Sequence, residues 1–214
     1  MPTIEQARGW YRADDPVHGL DHILRVRGLA IYLARQTGAD ARILEAAALL
    51  HDASGGDVKE DERASHHEAS ADFARHILSQ EGWDGEDIER VVECIVAHRY
   101  RGGQQPRSLE AQLLYDADKL DVVGAFGAAR TIAYAVEAGQ PVYAPASQRF
   151  IDTGQPEAGE PHSAYHEYLF KLRKVKDTLH SAAARQLAGE RERVLVALFE
   201  GLAAEASFAE DPSD

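Results

Sequence analysis

Apolar residues recur along most of the chain at spacings of three and four, which is the period of an α-helix with one buried face. In the segment from about residue 21 to residue 36, the inward-facing stripe consists of Ile23, Val26, Leu29, Ala30 and Leu33. The same period predicts further helices over about 41–51, 65–79, 86–98, from 108 into 122–123, 163–179 and 182–206. Alternating apolar strands of useful length are missing. The pattern therefore predicts an all-α fold.

One long stretch breaks the helical period. Residues 139–161 contain four prolines and three glycines with little periodicity. Connections this long without secondary structure are often functional. We therefore predict a mobile lid at the mouth of an active site.

The length of 214 residues suits a single domain spanning 1–214, with a core from about 15 to 206 and a frayed acidic tail over 207–214. The formal net charge of −13 argues against binding to nucleic acid, which requires a basic surface. No apolar run approaches the length of a membrane span, and the N-terminus does not resemble a signal peptide. The single cysteine, Cys94, lies on an apolar helix face and fits a reducing compartment. We expect a cytoplasmic protein.

The pair His51-Asp52 follows a hydrophobic helix and precedes a Ser-Gly-Gly turn. Imidazole nitrogens and carboxylate oxygens bind divalent metals, and two adjacent ligands leave coordination positions open for water and substrate. The alternative is an ordinary helix end, where histidine is common.

Two further segments of the chain add candidate ligands. Asp118 and Asp121 lie on the apolar stripe of the predicted helix from 108, and burying carboxylates is costly unless they are paired or bind a metal. The alternative is a solvated acidic face. His22 follows His18 by four residues, so both can lie on one helix face, where the alternative is a core histidine bonded to backbone.

The order His22, His51-Asp52, Asp118 resembles the signature of the HD superfamily of metal-dependent phosphohydrolases. The flanking segments resemble its YpgQ-like branch over roughly residues 15–200. These segments are 18–26, 46–52, 116–121 with 124–131, 171–177 and 190–193.

The resemblance implies an HD-fold helical bundle in which His22, His51, Asp52 and Asp118 hold one divalent cation. We expect Mn²⁺, with Mg²⁺, Co²⁺, Ni²⁺ or Fe²⁺ as alternatives. Some HD enzymes bind a second metal through extra histidines, and His66, His67 and His98 lie in the relevant interval.

The expected catalytic residues are Asp52, Asp121, which would hold water or the sugar, and Lys119, which would offset phosphoryl charge. The expected substrate-binding residues are His18, Arg25, Lys59, His67, His98 and Arg101. For Arg101, the alternative is a solubilising role at the protein surface.

The resemblance favours a nucleoside triphosphate pyrophosphohydrolase that acts on a small-molecule nucleotide. A 5′-nucleotidase or phosphodiesterase on the same scaffold is the second option, and a catalytically silent nucleotide-sensing module is the third. The oligomeric state stays open, with a homodimer as one option.

Overall fold

The computed structural model describes residues 1–11, 19–53, 66–98 and 105–209. Within these ranges every regular element is helical, so the predicted all-α fold is confirmed. The α-helices are α1 Ile4–Ala7, α2 Leu20–Thr37, α3 Ala41–Leu50, α4 His66–Gln80, α5 Gly85–Ala97, α6 Leu109–Leu120, α7 Ala125–Glu137, α8 Gln148–Thr153, α9 Ala164–Phe170, α10 Val175–Thr178 and α11 Ala182–Ala206. No helix in the described ranges combines the length and apolar character needed to cross a membrane.

The chain divides into two compact units. The first contains Met1–Leu120 and Leu179–Ala184, and the second contains Asp121–Thr178 and the chain from Arg185 onward. The prediction of one domain over 1–214 stays a prediction.

The first unit is built by α2, α3, α5 and α6, which pack against one another. Its helix ends follow local rules: Asp40 and Asp84 accept backbone N–H bonds at the starts of α3 and α5, and Gly38 ends α2 at a φ of 76°. Nearly all of α3 is buried, which fits its almost wholly apolar sequence. This apolar packing fixes the helix ends from which the polar residues of the site project.

The second unit has its own apolar core, formed by Phe150, Leu169, Leu195, Phe199 and their neighbours. Tight backbone packing sets the start of α7. A Cβ atom added at Gly127 would lie 2.1 Å from the carbonyl oxygen of Val122, so only glycine fits there. Gly124 has a φ of 94°, which side-chain-bearing residues rarely adopt.

Two predicted helices differ from those in the structure. The helix from 108 does not continue to Val123, because α6 ends at Leu120 and a turn reaches Gly124 before α7 begins. The predicted helix over 163–179 is interrupted at Lys171, where φ is −121° and ψ is −60°. A 3₁₀ turn, Leu172–Lys174, follows, and buried residues at a spacing of three continue the apolar pattern through it.

The stretch 139–161 is also more ordered than its composition indicates, since α8 lies within it. Glu160 accepts hydrogen bonds from the N–H and O–H of Ser147, both at 2.7 Å, and from the N–H of Glu157 at 2.6 Å. It also lies 3.0 Å from Nε2 of His166, whose Nδ1 lies 2.7 Å from the hydroxyl of Ser163. We call these five residues the Glu160 network. That the stretch acts as a lid stays a prediction.

Candidate metal centre

Three side chains from three helices of the first unit converge. His22 lies in the first turn of α2, His51 directly follows α3, and Asp118 lies in α6. Each offers one ligand atom, and these atoms lie within 4.8 Å of one another. Both histidines are buried, with exposed fractions of 2% and 0%. A buried group of two imidazoles and a carboxylate is suited to a divalent cation.

The ring of His51 is fixed by the backbone of its own helix. Its Nδ1 lies 2.9 Å from the carbonyl oxygen of Ala48, which can only accept, so Nδ1 carries the proton. The lone pair is therefore on Nε2, which has no hydrogen-bond partner among the described residues. Burial lowers the pKa of His51 to about 4, although Asp52 acts to raise it. The ring is thus neutral near pH 7, the form that binds a metal.

Asp118 has its two oxygens in different surroundings. Oδ1 lies 3.6 Å from Nε2 of His22, and Oδ2 accepts a hydrogen bond from Nζ of Lys119 at 2.6 Å. Burial would raise the pKa of this carboxyl, but Lys119 and the nearby histidines together hold it well below its usual range. Asp118 is therefore a carboxylate near pH 7.

Asp52 and His98 stand beside this group. The Oδ2 atom of Asp52 lies 3.6 Å from Nε2 of His51, and its Oδ1 lies 3.4 Å from Nε2 of His98. His98 directly follows α5, and its Nδ1 lies 2.5 Å from the carbonyl oxygen of Ile95, so its ring is held as that of His51 is. Its ring centroid is 5.1 Å from that of His51.

The nitrogen–oxygen separations in this cluster, 3.4–3.6 Å, are longer than good hydrogen bonds. Atoms bound to one ion at about 2.1 Å in a tetrahedron lie roughly 3.4 Å apart. The geometry therefore fits a ligand set around a cation, and His22, His51 and Asp118 can hold a divalent metal. That Asp52 is a fourth ligand stays a prediction, as does a count of one metal.

Three predicted site residues lie elsewhere or have other partners. Arg25 donates a hydrogen bond to Asp21 at 2.7 Å. His67 lies in the first turn of α4. Asp121 follows the end of α6, belongs to the second unit and accepts a hydrogen bond from Arg130 at 2.5 Å, so the argument that placed it on the helical face of Asp118 does not hold. Their substrate and catalytic roles stay predictions. His18, Lys59 and Arg101 lie outside the described residues.

The role of Asp116 could not be predicted from the sequence. This carboxylate is fully buried and accepts hydrogen bonds from the backbone N–H groups of His180 and Ser181, at 2.7 and 2.8 Å. The partners are 64 and 65 residues away in the chain, so no local pattern could reveal them.

Known proteins provide a second line of evidence. The model of the HD domain matches residues 19–123, which include His22, His51, Asp52 and Asp118. YpgQ of Bacillus subtilis is 30% identical over 204 residues, covering 92% of this chain and 90% of its own. The crystal structure of YpgQ in complex with ADP aligns with a TM-score of 0.71 at 28% identity, over 95% of this chain and 97% of that one. An HD-superfamily hydrolase from Bacillus thuringiensis aligns with a TM-score of 0.67 at 30% identity, over 95% and 96% of the two chains.

The chain belongs to the HD domain family. Its class is that of the metal-dependent phosphohydrolases of the HD superfamily, as the resemblance of its motifs predicted.

Proposed function

We propose that this phosphohydrolase cleaves nucleoside triphosphates between the α- and β-phosphates, releasing a nucleoside monophosphate and pyrophosphate. The observation that carries the proposal is the buried cluster of His22, His51 and Asp118, in which the unprotonated Nε2 of His51 is held toward its neighbours. The ADP complex of the related YpgQ supports a nucleotide as the substrate class.

The chain's own residues prepare this chemistry. A divalent ion, when bound, lowers the pKa of water and polarises a phosphoryl oxygen. The carbonyl groups of Ala48 and Ile95 hold the rings of His51 and His98 in fixed orientations. Asp52 would complete the ligand set and would also orient the nucleophilic water. The cation answers an electrostatic need, because a chain with a formal net charge of −13 repels a triphosphate.

We assign a single ion, with Mn²⁺ as the expected metal. We also propose that the protein acts in the cytoplasm.

A product analysis in oxygen-18 water tests the reaction. Metal-free protein is reloaded with Mn²⁺, Mg²⁺ or Co²⁺ and given a panel of ribo- and deoxyribonucleoside triphosphates. We expect pyrophosphate as the second product and the label in the monophosphate, because water attacks the α-phosphorus. His51→Ala should be inactive, and His76→Ala, which changes an exposed histidine of α4, should behave as the unaltered protein does. Label in pyrophosphate, or release of inorganic phosphate alone, would contradict the proposal.

A second candidate is a phosphodiesterase or nucleotidase with two metals. It is favoured by the position of His98, whose Nε2 faces Oδ1 of Asp52 at 3.4 Å. Two equivalents of metal per chain, reduced to one by His98→Ala, would transfer the assignment to this class.

A further inference from the structure

The basic residue next to the proposed ligand Asp118 is enclosed within the protein. The side chain of Lys119 is 10% exposed, and its Nζ lies 2.6 Å from Oδ2 of Asp118. The same nitrogen lies 5.3 Å from the centre of the Tyr115 ring, within the range of a cation–π contact.

The Tyr115 ring is itself held in place. It is 7% exposed and packs edge to face against His180, with ring centres 5.0 Å apart. His180 belongs to a short segment, 179–184, whose backbone N–H groups at His180 and Ser181 bind the buried carboxylate of Asp116. The ammonium group of Lys119 is therefore confined between Asp118 and an anchored ring, and this arrangement disfavours reaching out to a substrate phosphate.

From this geometry we infer that Lys119 is a positioning residue for the metal ligand Asp118, and that it is not a phosphate-binding residue. It occupies Oδ2 and leaves Oδ1, the oxygen that faces His22, as the ligand atom. It also neutralises the charge of Asp118, so that Asp52 supplies the net negative charge of the ligand set. The inference rests on the metal centre of the proposed function and gives Lys119 a role other than the predicted catalytic one.

The fixed positive charge of Lys119 lowers the affinity of the site for a cation. A fixed ammonium group close to a cation repels it, so the site holds its ion less tightly than its ligands alone would. The ion in turn keeps more of its positive charge for an anionic substrate.

The test measures Mn²⁺ binding by calorimetry on the full chain without nucleotide. Lys119→Met retains most of the length of the side chain and removes its charge, and we expect it to bind Mn²⁺ about tenfold more tightly, with a lower kcat and a nearly unchanged KM. Lys119→Arg, which retains the charge, should restore the original affinity. The control is Lys174→Met, because Nζ of Lys174 also lies over an aromatic ring, 5.6 Å from the centre of Phe170, in the second unit.

An unchanged or weakened Mn²⁺ affinity in Lys119→Met would overturn the inference. A large rise in KM at unchanged Mn²⁺ affinity would show instead that Lys119 binds the phosphates of the substrate. Because binding is measured without nucleotide, this result does not depend on which bond is cleaved. Unaltered protein that binds no divalent ion would instead overturn the metal centre and both proposals with it.

Discussion

The metal centre and the Glu160 network contain similar residues and differ in how their polar atoms are paired. Both place buried histidines beside carboxylates. In the Glu160 network the hydrogen bonds of the Glu160 carboxylate and of the His166 ring are 2.6–3.0 Å long, and both ring nitrogens of His166 have partners. In the metal centre the imidazole nitrogens and carboxylate oxygens stand 3.4–3.6 Å apart, and Nε2 of His51 has no hydrogen-bond partner among the described residues.

The pairing of buried polar atoms distinguishes a ligand site from a structural network. Buried polar groups are almost always hydrogen-bonded, since leaving one unpaired costs about 1–3 kcal/mol. A network that satisfies itself stabilises the fold. A cluster in which an imidazole lone pair faces carboxylate oxygens is stabilised only when a cation binds between them.

The largest expected effect comes from exchanging one histidine in each region. His51→Ala should abolish Mn²⁺ retention and hydrolysis while the chain stays folded, because the apolar core does not depend on the ion. His166→Ala should retain Mn²⁺ and lower the free energy of unfolding by about 3 kcal/mol, because it leaves a cavity and two unpaired groups. Metal analysis after gel filtration and chemical denaturation measure the two effects. Equal effects of the two variants on both measurements would remove the distinction.

Asp116 and Asp118, two acids of α6, should differ in the same way when each is replaced by asparagine. Asp118→Asn should weaken Mn²⁺ binding by about 100-fold, because an amide is a poor substitute for a carboxylate ligand. Asp116→Asn should lower stability by about 2 kcal/mol, because its amide group presents N–H to the N–H of His180 or Ser181. Calorimetry with Mn²⁺ and urea denaturation measure these effects. A stability loss in Asp118→Asn with unchanged metal binding would contradict the ligand assignment.

The smallest expected effect is a difference in the pH dependence of stability. Hydrogen bonds from Ser147 and Glu157 lower the pKa of Glu160 to about 2 from an ordinary 4.5. Its stabilising contribution is therefore complete above pH 4.5 and is lost as the pH falls toward 2.

His51 acts in a higher range. In metal-free protein its pKa of about 4 lies below the ordinary 6.5, so the unfolded chain takes up a proton first and stability falls as the pH drops from 6.5 to 4. Glu160→Gln should flatten the lower range and His51→Ala the upper one, when free energies of unfolding are measured in chelator. Identical slopes in either variant and the unaltered protein would show that the group does not contribute.

The motif around Asp118 shows how far the sequence reaches. The helical period predicted most helices, and the resemblance pointed to His22, His51 and Asp118, which the fold brings together. The three acids of residues 116–121 could not be separated in advance. Asp116 binds backbone far along the chain, Asp118 faces His22, and Asp121 bonds Arg130 across a turn. Each outcome depends on a partner that the helical period does not specify.

The Glu160 network was missed for the same reason. Proline and glycine in 139–161 predicted a mobile lid, which stays a prediction, but did not indicate that one carboxylate in this stretch has several hydrogen-bond partners. Amino-acid composition indicates which backbone conformations are favoured locally. It does not reveal a carboxylate that accepts several hydrogen bonds.

The rings of His51 and His98 also have a consequence for local motion. Each binds the carbonyl group three residues earlier, in the last turn of its helix, where backbone carbonyl groups lack helical partners. Fraying of that turn and loss of the ring's orientation are therefore one event. A bound ion should slow amide hydrogen exchange over the final turn of α3, which carries His51, leaving the rates in α11 unchanged. Equal slowing at the end of α5 would show that His98 also binds metal, as the two-metal candidate requires.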